Sequence, residues 1–276
     1  MPPSFDYLLK ARKVICIGRN YAAHIKELNN ATPKQPFFFL KPTSSIITPP
    51  ASTPSIPSNT LNFPRYPITE DNKLSTFYSF HGLDSKTGAN PSPIYIPQGV
   101  TVHHEVELAL VVDDYLSNIP ENVNIPIHDV ISGVSLALDL TARNVQNEAK
   151  AKGLPWSIGK GFDTFLPISE FISKDKLSNT VDFQKSFDLK CSVNGQLRQN
   201  GNTGLMLNSM SKILQHISIM ISLEPGDIVL TGTPAGVGEL NPNDTINAEL
   251  YQDGKLLTSM EYDCVQKPGP YVYKET

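Results

Sequence analysis

Val102-His103-His104-Glu105-Val106-Glu107-Leu108-Ala109-Leu110-Val111-Val112 is the most informative run in this chain. Residues 100–112 are rich in Val and Leu and alternate in polarity, which predicts a strand. Side chains two apart on a strand share a face. Glu105 and Glu107 are therefore expected to project together, with Val106 and Leu108 turned away. Paired carboxylates repel unless neutralised, and a hard divalent cation with oxygen ligands is the simplest neutraliser. Further along, Asp139 lies in the apolar run 134–140, where a carboxylate needs a cation or a strong donor to be buried. Lys160, between Gly159 and Gly161, follows that unit closely enough to face the same site. Taken alone, an E-x-E strand also describes the wet edge of a sheet. The two histidines before it and Asp139 beyond it favour a metal site. All-oxygen ligands fit Mg²⁺, Mn²⁺ or Ca²⁺, whereas zinc or iron would need His103 or His104, which neighbouring strand positions turn to opposite faces.

The rest of the chain sets the frame. Its 276 residues are 39% hydrophobic and 18% charged, with net charge −4, enough for a sizeable core in one large domain or two small ones. Nothing in that balance supports nucleic-acid binding. No apolar run approaches the roughly 20 residues of a membrane span. Cys16, Cys191 and Cys264 form no zinc or redox spacing and are expected to be reduced and buried. The first residues carry Lys10, Arg12 and Lys13 but also Asp6, a poor match to a targeting peptide. Strands are expected at 14–18, 37–40, 131–140 and 228–231, and helical character at 21–28. A helix over 141–152 is stopped by Gly153-Leu154-Pro155. A hairpin turns on Asn194-Gly195. An amphipathic helix over 210–223 places Ile213, Leu214, Ile217, Met220 and Ile221 on one stripe. Late strands at 245–250 and 255–262 join at Asp253-Gly254. Residues 48–97, dense in Pro, Ser, Thr and Asn, look like an irregular insertion. The glycine-rich loop 232–238 lacks the P-loop pattern. The sum is an α+β chain with a sheet roll or barrel at its centre.

Six ordered motifs resemble the fumarylacetoacetate hydrolase family: Gly18-Arg19-Asn20-Tyr21-Ala22-Ala23-His24, Phe39-Leu40-Lys41-Pro42, His103-His104-Glu105-Val106-Glu107, Leu138-Asp139-Leu140-Thr141-Ala142-Arg143, Lys152-Gly153-Leu154-Pro155-Trp156 and Thr231-Gly232-Thr233-Pro234. The likeness spans nearly the whole chain outside the excursion. It is nearest to the family's small mitochondrial members: acylpyruvate hydrolases, oxaloacetate decarboxylases and oxaloacetate tautomerases. The resemblance implies one catalytic domain over 1–276, a strand-rich mixed β roll or barrel of the family's C-terminal type with flanking helices, and a homodimer. It implies Glu105, Glu107 and Asp139 as ligands of Mg²⁺, with Mn²⁺ as the variant. His24 and Glu27, on a lid segment, match the catalytic pair, and Lys160 matches the active-site lysine. Arg19, Lys41, Arg143, Gln146, Thr231, Gly232 and Thr233 match substrate-contacting or supporting positions. The expected substrate is a small 2-oxo acid handled through its enolate. Oxaloacetate keto–enol tautomerisation is favoured, with acylpyruvate hydrolysis and oxaloacetate decarboxylation as alternatives and a non-catalytic metal-binding scaffold as the reading of another class. A mitochondrial address follows from the same resemblance, with the cytoplasm as alternative.

Overall fold

The structure is a computed structural model and describes residues 5–49, 82–178 and 182–276. Two sheets carry most of it. The larger has six strands in the order Ile172–Ser173, Ile131–Leu138, Val106–Val112, Ile228–Leu230, Val14–Gly18 and Phe37–Lys41. Val14–Gly18 runs parallel to Ile228–Leu230, and the other neighbours are antiparallel. Val106–Val112 is buried at every position, as an unbroken Val/Leu run in mid-sheet requires. The second sheet has five strands, ordered Gln196–Asn202, Phe187–Val193, Thr245–Gln252, Lys255–Gln266 and Ile94–Ile96. Its first hairpin turns on Asn194 and Gly195, both at positive φ (51° and 74°), the conformation that Asn-Gly turns supply. Smaller sheets of three and two strands complete the set. Among the described residues the sheets stay open, and none closes into a barrel.

One apolar cluster joins both large sheets to the helix Met210–Ser218 through Ile213, Leu214 and Ile217. That helix begins where Ser209 caps the Lys212 amide (3.1 Å). It stops short of the predicted residue 223. The Met220 and Ile221 amides both return to the Ile217 carbonyl, and Leu223 then exchanges backbone bonds with Leu116. Met220 is consequently exposed rather than on the core stripe.

The predicted single strand over 100–112 is two. Val102–His104 belongs to the three-stranded sheet and Val106–Val112 to the six-stranded one. Glu105 is the crossing residue. The Val106 amide leaves the ladder to donate to Gln199 Oε1 (3.1 Å), and the Glu105 carbonyl accepts from the Asp139 amide (2.8 Å). The strand predicted over 131–140 ends at Leu138, so Asp139 sits just past it.

The excursion over 48–97 lies partly outside the described residues, at 50–81. Its two ends meet on the body of the protein. The Thr48 amide donates to Asn90 O (2.9 Å), the Asn90 amide to Thr48 Oγ1 (3.0 Å) and Asn90 Nδ2 to Ile46 O (2.7 Å). The three cysteines are free and buried. Among the described residues no helix is long and apolar enough to cross a membrane.

Candidate active site

A cavity opens where the six-stranded sheet meets the helix Arg143–Lys152. Glu105, Glu107 and Asp139 form its floor. Each is buried, and each offers an oxygen within 4.8 Å of the others. The sheet register explains the grouping: Glu107 faces Ala137 across the ladder, and Asp139 and Glu105 meet by a backbone bond just beyond the strand ends.

Cations surround two of the three carboxylates. Lys160 Nζ, itself buried, lies 2.9 Å from Glu105 Oε2 and 2.7 Å from Asp139 Oδ2. Arg143 Nη2 donates to Glu105 Oε1, and Arg143 Nη1 to Gln146 Oε1 (2.8 Å). Burial alone would raise the Glu105 carboxyl, but Lys160 and Arg143 outweigh it and hold the group well below the carboxylate range. For Lys160 burial opposes the charge, and Asp139 and Glu105 override it, so its value is raised. Glu107 has no such cation. Its Oε2 accepts the Gly232 amide (2.6 Å), and burial followed by the charges of Asp139 and Glu105 pushes its carboxyl well above the usual range. Asp139 Oδ1 lies 2.8 Å from Lys41 Nζ but outside hydrogen-bond geometry, so it is a buried oxygen without a hydrogen bond. A carboxyl at Glu107 held above the usual range and an Asp139 oxygen without a hydrogen bond, in one buried all-oxygen cluster, fit a hard divalent cation. Gly232 is needed beside them: at φ 102° it aims its amide at Glu107, and a Cβ there would meet Asn20 Cβ at 2.7 Å.

Above the floor stands the short helix Ala22–Glu27. His24 Nδ1 lies 3.3 Å from Glu27 Oε2, and the Gly236 amide donates to Glu27 Oε1 (3.0 Å). Glu27 thus touches both the imidazole and the glycine-rich loop. A carboxylate only accepts, so the Nδ1–H tautomer makes this contact and leaves Nε2 as the basic nitrogen. Arg19, at φ 57° in the turn before the helix, lays its guanidinium 5.5 Å from the centre of the Phe37 ring.

The cavity wall includes Arg19, His24, Arg143, Gln146, Lys160 and Thr233 as well as the triad. Glu27, Lys41, Thr231 and Gly232 stand behind it. Lys41 is fully buried, and its ammonium donates to the carbonyls of Leu140 (2.9 Å) and Lys160 as well as touching Asp139. Burial lowers its value despite Asp139. Thr231 Oγ1 donates to Leu108 O (3.0 Å). The two histidines diverge as strand geometry expects. His103 Nδ1 accepts from Arg143 Nε (3.2 Å), and burial together with Arg143 lowers His103 to about 4. His104 turns to Gln199 Oε1 (2.9 Å).

Gln199, on the second sheet, was not singled out by any motif. Its side chain is buried and saturated. Nε2 donates to Thr233 Oγ1 and Pro234 O (both 2.8 Å), while Oε1 accepts from His104 and from the Val106 amide. It ties the triad strand to the Thr233 loop. Lys150 and Trp156 are also on the cavity wall; Trp156 closes the Lys152-Gly153-Leu154-Pro155-Trp156 motif, whereas Lys150 lies in none of the motifs. Only the helical spacing from Arg143 and Gln146 could have pointed to Lys150.

A mixed α+β sheet structure with a buried acidic triad beside a His–Glu pair has the groups of a carboxylate-centred, metal-binding enzyme site. The fumarylacetoacetate hydrolase C-terminal family model matches residues 13–261, and this chain belongs to that family. It is 58% identical over 277 residues to a protein of Saccharomyces cerevisiae named oxaloacetate tautomerase FMP41, mitochondrial, across 99% of this chain and 100% of the relative. It is 40% identical to a mitochondrial oxaloacetate decarboxylase of Dictyostelium discoideum, across 92% and 94%. The crystal structure of yeast ynq8, a fumarylacetoacetate hydrolase family protein, superposes with a TM-score of 0.83 at 57% identity, over 99% of this chain and 100% of that one.

Proposed function

We propose that this chain is a mitochondrial, Mg²⁺-dependent oxaloacetate keto–enol tautomerase, acting as one catalytic domain and, by its family likeness, as a homodimer. The observation that carries the chemistry is the triad of Glu105, Glu107 and Asp139 within 4.8 Å on the floor of a cavity that His24 also lines. Oxaloacetate, tautomerisation and the mitochondrial address rest on likeness to relatives bearing those names.

Glu105, Glu107 and Asp139 would hold the ion, and an all-carboxylate set suits Mg²⁺, with Mn²⁺ compatible. Bound there, it supplies a Lewis acid that makes the C–H beside a 2-oxo acid's carbonyl easier to ionise. Through Nε2, His24 takes that proton from carbon and delivers it to the carbonyl oxygen to give the enol, and the reverse transfer gives the ketone. Glu27 fixes the ring's tautomer and steadies its protonated form. Arg143 and Lys160 offset the negative charge that grows on the carbonyl oxygen.

The same enolate supports decarboxylation, and the Dictyostelium relative is named for it. One assay set separates the outcomes: enol-oxaloacetate absorbance, pyruvate release and acetylpyruvate cleavage, each with Mg²⁺ and with chelator. The expected result is fast, chelator-sensitive decay of the enol band without matching pyruvate. Pyruvate release at an equal rate would make the enzyme a decarboxylase, and cleavage of acetylpyruvate an acylpyruvate hydrolase. Inactivity on all three would leave a metal-binding scaffold.

A further inference from the structure

On the helix Arg143–Lys152, residues 143, 146 and 150 stand at i, i+3 and i+7 and share one face. All three line the cavity. They run outward from the triad: Arg143 touches Glu105, Gln146 accepts from Arg143, and Lys150 follows one turn later. The rise of about 1.5 Å per residue sets Lys150 roughly 10 Å along the axis from Arg143. Helical side chains lean toward the N-terminus, which brings the lysine stem back over the cavity.

The cations of this cavity differ in what they already hold. Arg143 is bonded to Glu105, Gln146 and His103. Lys160 bridges Glu105 and Asp139. Arg19 has the Ala31 carbonyl at 3.4 Å and the Phe37 ring. Lys150 has an aromatic face alone: its ammonium lies 5.2 Å from the centre of the Trp156 ring, with no carboxylate or hydrogen-bond partner among the described residues. It is half-buried, and burial followed by repulsion from Arg143 and Arg19 lowers its value to about 8. A crowded ammonium with its N–H donors unused is a ready partner for an anion.

We infer that Lys150 is the specificity-determining residue that binds the substrate's remote carboxylate, so that the cavity selects dianionic 2-oxo dicarboxylates over monoanionic 2-oxo acids. This rests on the proposed 2-oxo acid reading. There, one carboxylate and the adjacent carbonyl occupy the floor, and a dicarboxylate presents its second charge to the mouth. Trp156 holds the lysine from one side and leaves the other for the ligand.

The test compares the Mg²⁺-loaded full chain with Lys150→Met and Lys150→Arg, using oxaloacetate and its 4-methyl ester, which has the same skeleton without the remote charge. In Lys150→Met, KM and the calorimetric Kd for oxaloacetate should rise about 10–100-fold, with kcat changing less than about 3-fold. The ester should lose less than about 3-fold in kcat/KM and in affinity. Lys150→Arg should restore discrimination, and oxalate, which lacks a remote group, should bind all three proteins equally. Equal losses on acid and ester, or no loss on oxaloacetate, would overturn the inference. A wild-type protein that binds oxaloacetate without turning it over would instead overturn the proposed function, and the calorimetric comparison would still decide the role of Lys150.

Discussion

The floor of the cavity and its mouth use positive charge differently. At the floor Lys160, Lys41 and Arg143 are committed to fixed partners within the protein. At the mouth Lys150 rests on an indole and Arg19 on a phenyl ring, and neither holds a carboxylate among the described residues. Fixed pairs hold ligand oxygens in place before anything binds, which is what a site for a small hard ion needs. Loose cations remain available to substrate. On the proposed reading, the floor sets the chemistry and the mouth sets the substrate.

The sharpest way to break that division is Glu107→Gln. Activity should fall by on the order of 10³-fold or more, and calorimetry should detect no Mg²⁺ binding. The metal-free protein should melt at the same temperature or higher, because an ionised Glu107 is disfavoured by burial and by its two acidic neighbours. Wild-type Mg²⁺ affinity in this variant would remove Glu107 from the ligand set. Next comes His24→Ala. It should lower kcat about 10²–10⁴-fold with Mg²⁺ affinity unchanged, and equal weakening of metal binding would place His24 in the floor. Lys41→Met should destabilise the chain by about 3–5 kcal/mol in urea unfolding, since it removes one cation paired with the buried Asp139 charge and the donor to two buried carbonyls. A stable Lys41→Met that merely binds substrate poorly would move Lys41 to the mouth.

The smallest effect is a pH dependence at the mouth. Lys150 titrates at about 8, below the ordinary 10.5, in sight of Arg143, Arg19, Glu105 and Lys160. It is charged below that pH, so its pull on a dianion is full there and fades above it. KM for oxaloacetate should rise above about pH 8 in the wild type and stay flat in Lys150→Met. For stability the sign is opposite. Folding disfavours the charged lysine, and that burden lifts as pH climbs from about 8 toward 10.5. Denaturant midpoints across this range check it.

Local patterns were legible in the chain where local physics decides them. The strand Val14–Gly18 and the Asn194-Gly195 turn were both expected, the first as an apolar run and the second because Asn and Gly tolerate positive φ. The Glu105–Glu107–Asp139 grouping followed from period-two spacing and from the difficulty of burying a lone carboxylate. The change of sheet at Glu105 was not legible, because the Val106 amide is diverted by Gln199, 93 positions along the chain. Lys41 shows the same limit. The motif marks it as important, but only the fold reveals that its ammonium sits behind the floor, against Asp139 and two backbone carbonyls.

Gln199 also bears on how this sequence can drift. An amide there gives two donors and accepts two hydrogens at once. Glutamate would set an acceptor against the Pro234 carbonyl, a shorter side chain would fall short of Thr233, and an apolar one would lose all four bonds. Along the same strand Gln196, Leu197, Arg198 and Asn200 are exposed in the single chain. The hairpin's outer face therefore carries few constraints among the described residues, while at one position every single substitution is expected to cost stability.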